Sequence, residues 1–387
     1  TDYDLIVVGG GAGGLSAVRA ARWGDKSVAM ITDGEPGGDC TFTGCVPSKA
    51  LISVANAGGS FGEAMQRVRS SIDTIAAAES SAALRAEGVD VHLGRGRFVD
   101  AATVEVDGRR LRAPHVIVAT GARAMVPPIP GLDAIDALTN ETVFDMEQAP
   151  STLAILGGGP VGCELGQALA RLGVKVIIFE ALDRILSHEE SPASQIVHAA
   201  LEADGVDIRL QQRVTEFSAG AEGVTVRTDA GTSDVVERVL VAVGRRPVTD
   251  GLGLEDIGVE LDGQGHPVVD RHLKTSVDGV FAFGDVTGMT PFTHAADEMG
   301  RLAAGQALRL QPRWAFDPAT IPSTIFTEHE VALIGPTEAE VAGSGGMVAE
   351  LPMRAFDRAI VEGRTEGYVK IIAGRRRVTR RLLGGRV

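Results

Sequence analysis

The stretch that decides the fold is Asp4-Leu5-Ile6-Val7-Val8-Gly9-Gly10-Gly11-Ala12-Gly13-Gly14-Leu15. An apolar run, Asp4–Val8, enters a cluster of glycines and then a helical pattern from Leu15 to Trp23, with a second apolar strand at Val28–Ile31. Strand, glycine turn, helix and strand make the βαβ unit of a dinucleotide-binding sheet. The glycines have separate tasks. Gly9 permits the tight turn, Gly11 lets a pyrophosphate touch backbone, and Gly14 lets helix and strand pack closely. The helix start then offers unpaired N–H groups and partial positive charge to phosphates.

The same grammar returns at residue 152. Thr152–Leu156 reads as a strand, Gly157-Gly158-Gly159-Pro160-Val161-Gly162 as the turn, Glu164–Leu172 as a helix and Lys175–Phe179 as the next strand. Gly157, Gly159 and Gly162 repeat the tasks of Gly9, Gly11 and Gly14. A glycine turn of this kind also occurs without a nucleotide, so context decides: each copy follows a strand and opens a helix. The acid that reads the ribose hydroxyls belongs about 20 residues on. In the second unit this is Glu180, whose carboxylate accepts from a 2′-OH and repels a 2′-phosphate, favouring NADH over NADPH. In the first unit Thr32 holds that position, and Asp33 comes one residue late.

Between the two units the pattern predicts a long amphipathic helix over 63–87 and strands at Arg97–Val106 and Val116–Ala119. Pro127, Pro128 and Pro130 mark a connection. From Ile321 the texture changes to short alternating runs, Ile325–Phe326, Val331–Ile334, Gly346–Pro352 and Tyr368–Ile372, which predict a third, more antiparallel domain. The basic cluster Arg375–Arg381 reads as a solvated turn or hairpin. The run Leu382–Val387 breaks off as if inside a strand pair, so a truncated chain is expected.

Bulk properties exclude several classes. A chain of 387 residues is too long for one core. Its net charge of -14 argues against nucleic acid as a partner, because phosphate backbones call for clustered Lys and Arg. No apolar run approaches the ~20 residues of a membrane span, and the N-terminus lacks the pattern of a signal peptide, so a cytoplasmic protein is expected. Three cysteines make no secreted disulfide framework. Cys163 falls on a helix and reads as packing. Cys40 and Cys45, five apart, suggest redox chemistry or metal binding.

They stand in Gly37-Gly38-Asp39-Cys40-Thr41-Phe42-Thr43-Gly44-Cys45-Val46-Pro47-Ser48-Lys49. In an ideal α-helix, residues five apart have Cα atoms roughly 8–9 Å apart. A disulfide needs less than about 7 Å, so a bridge requires a distorted first turn, which Gly44 eases. A zinc site is the rival, but zinc usually takes four ligands, and no nearby His or Cys completes a set. Two unrelated buried thiols are the plain alternative.

This run resembles the GGxCxxxGCxPSK signature of the FAD-dependent pyridine nucleotide–disulfide oxidoreductases, a family that includes dihydrolipoamide dehydrogenase, glutathione reductase and mercuric reductase. Other stretches agree in order. Ala119-Thr120-Gly121-Ala122 resembles the family's ATG segment at the flavin. Val243-Gly244-Arg245-Arg246-Pro247 resembles the turn that returns the chain from the NAD domain. Thr275–Asp285 resembles the second flavin motif, and Ile321 through Gly335 the start of the interface domain.

The resemblance implies an α/β fold with two Rossmann-like dinucleotide-binding domains, for FAD and NAD, plus a C-terminal α+β dimerisation domain, here cut short. The domain limits are 1–145 and 271–318 for FAD, 146–270 for NAD and 319–387 for the partial interface domain. It implies a homodimer, and a route: hydride from the nicotinamide to the flavin, then electrons to a Cys40–Cys45 disulfide and on to a disulfide substrate such as lipoamide. Cys45 would be the thiol nearest the flavin and Cys40 the outer one, both with low pKa at a helix start. Lys49 would stand beside the flavin, paired with Glu164 and stabilising negative charge on the reduced ring. Contacts to the nucleotides are implied at Gly9, Gly11, Gly14, Thr32, Asp33, Gly38, Lys49, Gly96, Thr120, Gly121, Ala122, Asp285, Pro291, Phe292, Thr293 and His294 for FAD. For NAD they are implied at Gly157, Gly159, Gly162, Glu180, Val214 and Gly244. No structural metal is expected.

The chain departs from the family in two places. Asp39-Cys40-Thr41-Phe42-Thr43 differs from the usual TCLN-type wording, which loosens the tie to lipoamide. The His-Pro…Glu segment that supplies the general acid/base is absent from this sequence, and His294 and His329 do not replace it. A mercuric-ion or quinone reductase is therefore an alternative, as is a non-catalytic flavin-binding redox sensor or assembly partner.

Overall fold

The computed structural model of the chain describes residues 1–310, 314–341 and 347–374, and the backbone of Arg377–Arg380. β1 (Leu5–Val8), α1 (Ala12–Trp23) and β2 (Val28–Thr32) form the first βαβ unit. Every residue of both strands is buried, as parallel strands covered on two faces must be. α1 starts three residues before the apolar pattern because Gly11, in extended conformation, is its N-cap.

The cysteine run forms two helices, α2 (Gly38–Phe42) and α3 (Cys45–Asn56), and the break at Thr43-Gly44 falls where a bridge was expected to need a distorted first turn. The helix expected over 63–87 is also divided, into α4 (Phe61–Glu79) and α5 (Ser81–Ala86). Ser80 divides it: its Oγ accepts the Ala83 N–H at 3.2 Å as an N-cap. The Ser81 N–H and hydroxyl both donate to Glu35 at 2.9 Å, which fixes the break. β3 (Asp90–Leu93) follows. The strand expected at Arg97–Val106 is a hairpin of β4 (Arg97–Asp100) and β5 (Thr103–Val106), turned where Asp100 Oδ1 accepts the Ala102 N–H at 2.9 Å. β6 (Arg109–Arg112) completes that antiparallel sheet, and β7 (Val116–Val118) re-enters the core.

After β8 (Ala122–Ala124) comes the second βαβ unit: β9 (Thr152–Leu156), α6 (Pro160–Arg171) and β10 (Lys175–Phe179). α6 begins at Pro160, four residues before the expected Glu164, because Gly159 caps it and proline suits the first helical position. α7 (Ser191–Ala203) and β11 (Asp207–Arg209) continue it. β12 (Val214–Gly220), β13 (Gly223–Thr228) and β14 (Ser233–Val236) form an antiparallel sheet that the sequence pattern did not show. β15 (Arg238–Val241) then closes a parallel sheet of order β11-β10-β9-β15. Leu156, Ile177, Phe179, Val239 and Val241 pack with Phe217 and Val226 of the antiparallel sheet in one core.

β16 (Arg245–Pro247) pairs with β8, and β17 (Val280–Ala282) returns the chain to the first sheet, which has the order β17-β7-β1-β2-β3 and is parallel throughout. α8 (Thr293–Ala307) follows. The chain divides into two compact units, Thr1–Pro47 with Arg69–Arg123 and Arg245–Pro318, and Ser48–Val68 with Ala124–Gly244 and Ala319–Val387. Residues 245–270, assigned to the NAD domain from sequence, belong to the first unit: Leu252, Leu254 and Val259 share a core with Ile6, Phe98, Val104 and Val116.

The second unit also holds the last elements: β18 (Ser323–Ile325), β19 (Val331–Leu333), α9 (Glu338–Val341), β20 (Met347–Pro352), α10 (Asp357–Val361), β21 (Tyr368–Gly374) and β22 (Arg377–Arg380). β20, β21 and β22 are antiparallel neighbours. The middle of the basic cluster thus forms the second strand of a hairpin; Arg375, Arg376, Arg381 and the run Leu382–Val387 lie outside the described residues. Lys370 on β21 is buried and bonded to Glu190 at 2.7 Å and Glu338 at 2.8 Å. Burial disfavours its charge, but these carboxylates outweigh that and raise its pKa. Among the described residues no helix is long and apolar enough to cross a membrane.

α1 and α8 meet backbone to backbone: a Cβ at Gly300 would run into the Gly13 carbonyl. Gly300→Ala should therefore cost about 1–3 kcal/mol, as overpacking does, and lower the thermal unfolding midpoint. Gly263→Ala, where a Cβ meets nothing within 4 Å, should leave it unchanged.

Candidate active site

The two glycine turns are near copies in geometry. Gly9 (φ 121°) and Gly157 (φ 102°) occupy backbone space that L side chains rarely adopt. A Cβ at Gly14 would strike the Gly9 carbonyl, and one at Gly162 the Gly157 carbonyl. These glycines are there for packing. The middle glycines differ. A Cβ at Gly11 would find only Gly38 Cα, at 3.9 Å, and one at Gly159 nothing within 4 Å. Both cap their helices with extended backbone (φ -76° in each case) and no side-chain capping bond. Open space over a helix N-terminus is the cradle a pyrophosphate requires, so both turns fit dinucleotides.

In the first unit, α2 is pressed against this cradle. The Gly37 N–H donates to the Gly10 carbonyl at 2.8 Å, and a Cβ at Gly38 would lie 2.6 Å from Gly11 Cα. Thr32 is buried at the end of β2, its hydroxyl donating to the Gly34 carbonyl at 3.1 Å. Asp33 is exposed, 4.0 Å from Arg95. Gly96 is buried against Val8, Ile31 and Val104, where a Cβ would be tight at 3.2 Å. Thr120 donates to the Val248 carbonyl at 2.6 Å, and Gly121 takes a positive φ with open space beside it.

All three cysteines are free thiols. Cys40 on α2 and Cys45 at the start of α3 are in hydrogen-bond contact. Gly44 makes the junction possible, since a Cβ there would lie 2.7 Å from the Asp39 carbonyl. Cys45 is exposed and Cys40 half-buried. Thr293, the first residue of α8, touches both: its Oγ1 is 3.4 Å from Cys45 Sγ and it also bonds Cys40. Cys45 thus starts one helix and faces the N-terminus of another, with the positive partial charge of both helix starts beside its sulfur. The low pKa expected for both thiols does not hold for Cys40. Its hydrogen bond to Cys45 and its burial push it up, with Glu79 adding repulsion.

Sequence reasoning missed the clasp beside the pair. Arg245 binds the Asp39 carboxylate and the Ala122 carbonyl, and its Nε lies 3.9 Å from Asp285. Asp285 is raised by burial, and Arg245 only partly offsets this. Arg245 stood in a quoted motif, but its partner lies 206 positions away and left no local signal. Pro291 is exposed, and Phe292 stacks on His294 at 5.6 Å between ring centroids.

In the second unit Glu180 is aimed at its turn. Oε2 accepts the Gly158 N–H and Oε1 the Leu182 N–H, each at 2.8 Å. Val214 is buried at the start of β12, and Gly244 has φ 133°. Cys163 is fully buried, which pushes its thiol pKa up. Lys49 Nζ lies 2.6 Å from Glu164 Oε2, and Glu164 is buried. Lys49 follows Cys45 by four residues in one helix. His329 pairs with Glu366 at 3.2 Å. Among the described residues no cluster of three or more His, Cys, Asp or Glu is arranged to hold a metal.

Residues 3–300 match the pyridine nucleotide-disulphide oxidoreductase family, and residues 321–387 match its dimerisation domain. The chain belongs to this family and is a flavoprotein disulfide oxidoreductase that binds FAD and a pyridine nucleotide. The dimerisation-domain match supports a homodimer. A mercuric reductase of Streptomyces lividans is 35% identical, the match covering 97% of this chain and 85% of the relative. Dihydrolipoyl dehydrogenase 2 of Haloarcula marismortui is 33% identical over 96% of this chain and 84% of its own. The Cu(II) complex of the HOCl-induced flavoprotein disulfide reductase RclA from Escherichia coli superposes with a TM-score of 0.88 at 29% identity, covering 98% of this chain and 88% of that one.

The raised thiol of Cys40 makes a pH prediction. In the reduced protein, iodoacetamide should modify Cys45 first at pH 7. Cys40 should become reactive only above the ordinary thiol range, since a raised pKa keeps it protonated and the thiolate is the nucleophile. Cys45→Ser weakens the largest cause of the shift, so the pH midpoint for Cys40 alkylation should fall. Peptide mapping by mass spectrometry reads both rates.

Proposed function

We propose that this chain passes an electron pair from NADH, through FAD, to a Cys40–Cys45 disulfide and then to a small disulfide of the lipoamide type. The observation that carries the reading is the thiol pair itself: two cysteines in hydrogen-bond contact, with the Thr293 hydroxyl at the start of α8 against Cys45. FAD, when bound, accepts hydride from the nicotinamide and delivers two electrons to the disulfide. The side chains do the rest. With the pair reduced, the Cys40 thiolate attacks the substrate disulfide and one substrate thiol leaves. The Cys45 thiolate then attacks Cys40, which releases the second thiol and restores the bond. Cys40 must lose its proton before the first of these steps.

In this reading the first unit holds FAD, residues 146–244 hold the nicotinamide nucleotide and 319–387 belongs to the dimer interface. Gly9, Gly11, Gly14 and Gly38 face the FAD pyrophosphate, Asp285 the ribityl end, and Gly157, Gly159 and Gly162 the second pyrophosphate. Lys49, held by Glu164, balances negative charge on reduced flavin. Glu180 receives the ribose hydroxyls, which makes NADH the preferred donor. A reducing, cytoplasmic setting fits a protein that works through free thiols. A soft metal ion is the second acceptor to consider, favoured by the likeness to a mercuric reductase and to the copper complex of RclA.

Anaerobic NADH should produce a long-wavelength thiolate–flavin band that Cys45→Ser abolishes; bleaching without the band, unchanged by that substitution, overturns the disulfide route. Lipoamide should be reduced faster than mercuric or cupric ion accelerates NADH oxidation, and the reverse order favours the metal reading. Glu180→Ser should narrow the NADH-over-NADPH preference by roughly tenfold, the ratio that corresponds to about 1.4 kcal/mol.

A further inference from the structure

The Lys49–Glu164 pair has a third member. Phe326 follows directly on β18, in the segment that opens the interface-domain match. Its N–H donates to Glu164 Oε1 at 3.0 Å, while Glu164 Oε2 accepts from Lys49 at 2.6 Å. Its ring lies under the ammonium, with Lys49 Nζ 4.3 Å from the centroid. One residue thus holds both halves of the ion pair, the carboxylate through its amide and the cation through its π face.

We propose that Phe326 is a positioning residue for Lys49. Glu164 is buried and has one oxygen committed to each partner, so it cannot swing with the lysine. Lys49 is about a third exposed, with a side-chain accessibility of 35%, and carries a flexible stem. Left to the carboxylate alone, its ammonium could sample several rotamers. The ring closes one side and leaves the remaining N–H groups a narrow range of directions. The inference rests on the reading that Lys49 stands beside the flavin, and it adds what keeps the charge in place there.

The test compares Phe326→Leu, which keeps the amide and removes the π face, with Phe326→Tyr, which keeps both. Two readouts are taken on holoenzyme of matched flavin content and thermal midpoint. The first is the acylation rate of Lys49 by a succinimidyl ester, followed by mass spectrometry. The second is the flavin midpoint potential, with the rate of flavin reduction by NADH. Phe326→Leu should raise Lys49 acylation roughly twofold to thirtyfold, the range that an ordinary cation–π contact corresponds to. It should also lower the potential and slow flavin reduction without changing KM for NADH, and Phe326→Tyr should restore all of these. Unchanged acylation in Phe326→Leu, or a tyrosine variant that behaves like leucine, overturns the proposal. Lys49→Met separates it from the reading beneath it. If that variant shifts the potential and Phe326→Leu does not, the positioning role alone fails; if neither shifts it, the placement of Lys49 at the flavin fails and the proposal falls with it.

Discussion

The βαβ turn of each unit depends on one contact, the close stacking of a helix glycine on the carbonyl of a turn glycine. Gly14 lies over Gly9, and Gly162 over Gly157, with no room for a Cβ in either place. The contact brings each helix start to the end of its strand, so Gly11 and Gly159 face open space and the first N–H groups point into it. In the first unit the same economy of space lets α2 approach, since Gly38 rests on Gly11. The cysteine pair is therefore placed by glycines that carry no chemistry.

From that placement the electrostatics follow. Two thiols in hydrogen-bond contact cannot both ionise easily. Cys45 has the helix starts, and Cys40 has burial, Glu79 and the hydrogen bond it gives. A raised thiol at Cys40 keeps its proton to higher pH than an ordinary cysteine. It also defines the demand on the second half of the cycle, which is the removal of the Cys40 proton.

The sequence was legible where the physics is local. Strand bounds at Thr152–Leu156 and Lys175–Phe179 could be read directly, because the last four residues of each are buried and form a continuous apolar run. Helix starts at Ala12 and Pro160 were placed too late, because the first turn contains glycines and proline that carry no apolar periodicity. The break at Ser80 depends on Glu35, which is 46 positions from Ser81. At the site, Cys40, Cys45 and the two glycine turns were legible, and Glu180 could be placed by its spacing. Thr293 against the thiols, Arg245 on Asp39 and Phe326 under Lys49 were not, because each joins residues more than 200 positions apart.

The central claim is that Cys40 and Cys45 form one two-electron couple that NADH reduces through the flavin. Alkylation trapping with mass spectrometry, before and after one equivalent of NADH under anaerobic conditions, tests it most directly. The account predicts that the two cysteines are joined in the oxidised protein and become alkylated together on reduction, with buried Cys163 unmodified throughout. NADH consumed and flavin reduced while Cys40 and Cys45 keep the same alkylation state would contradict it.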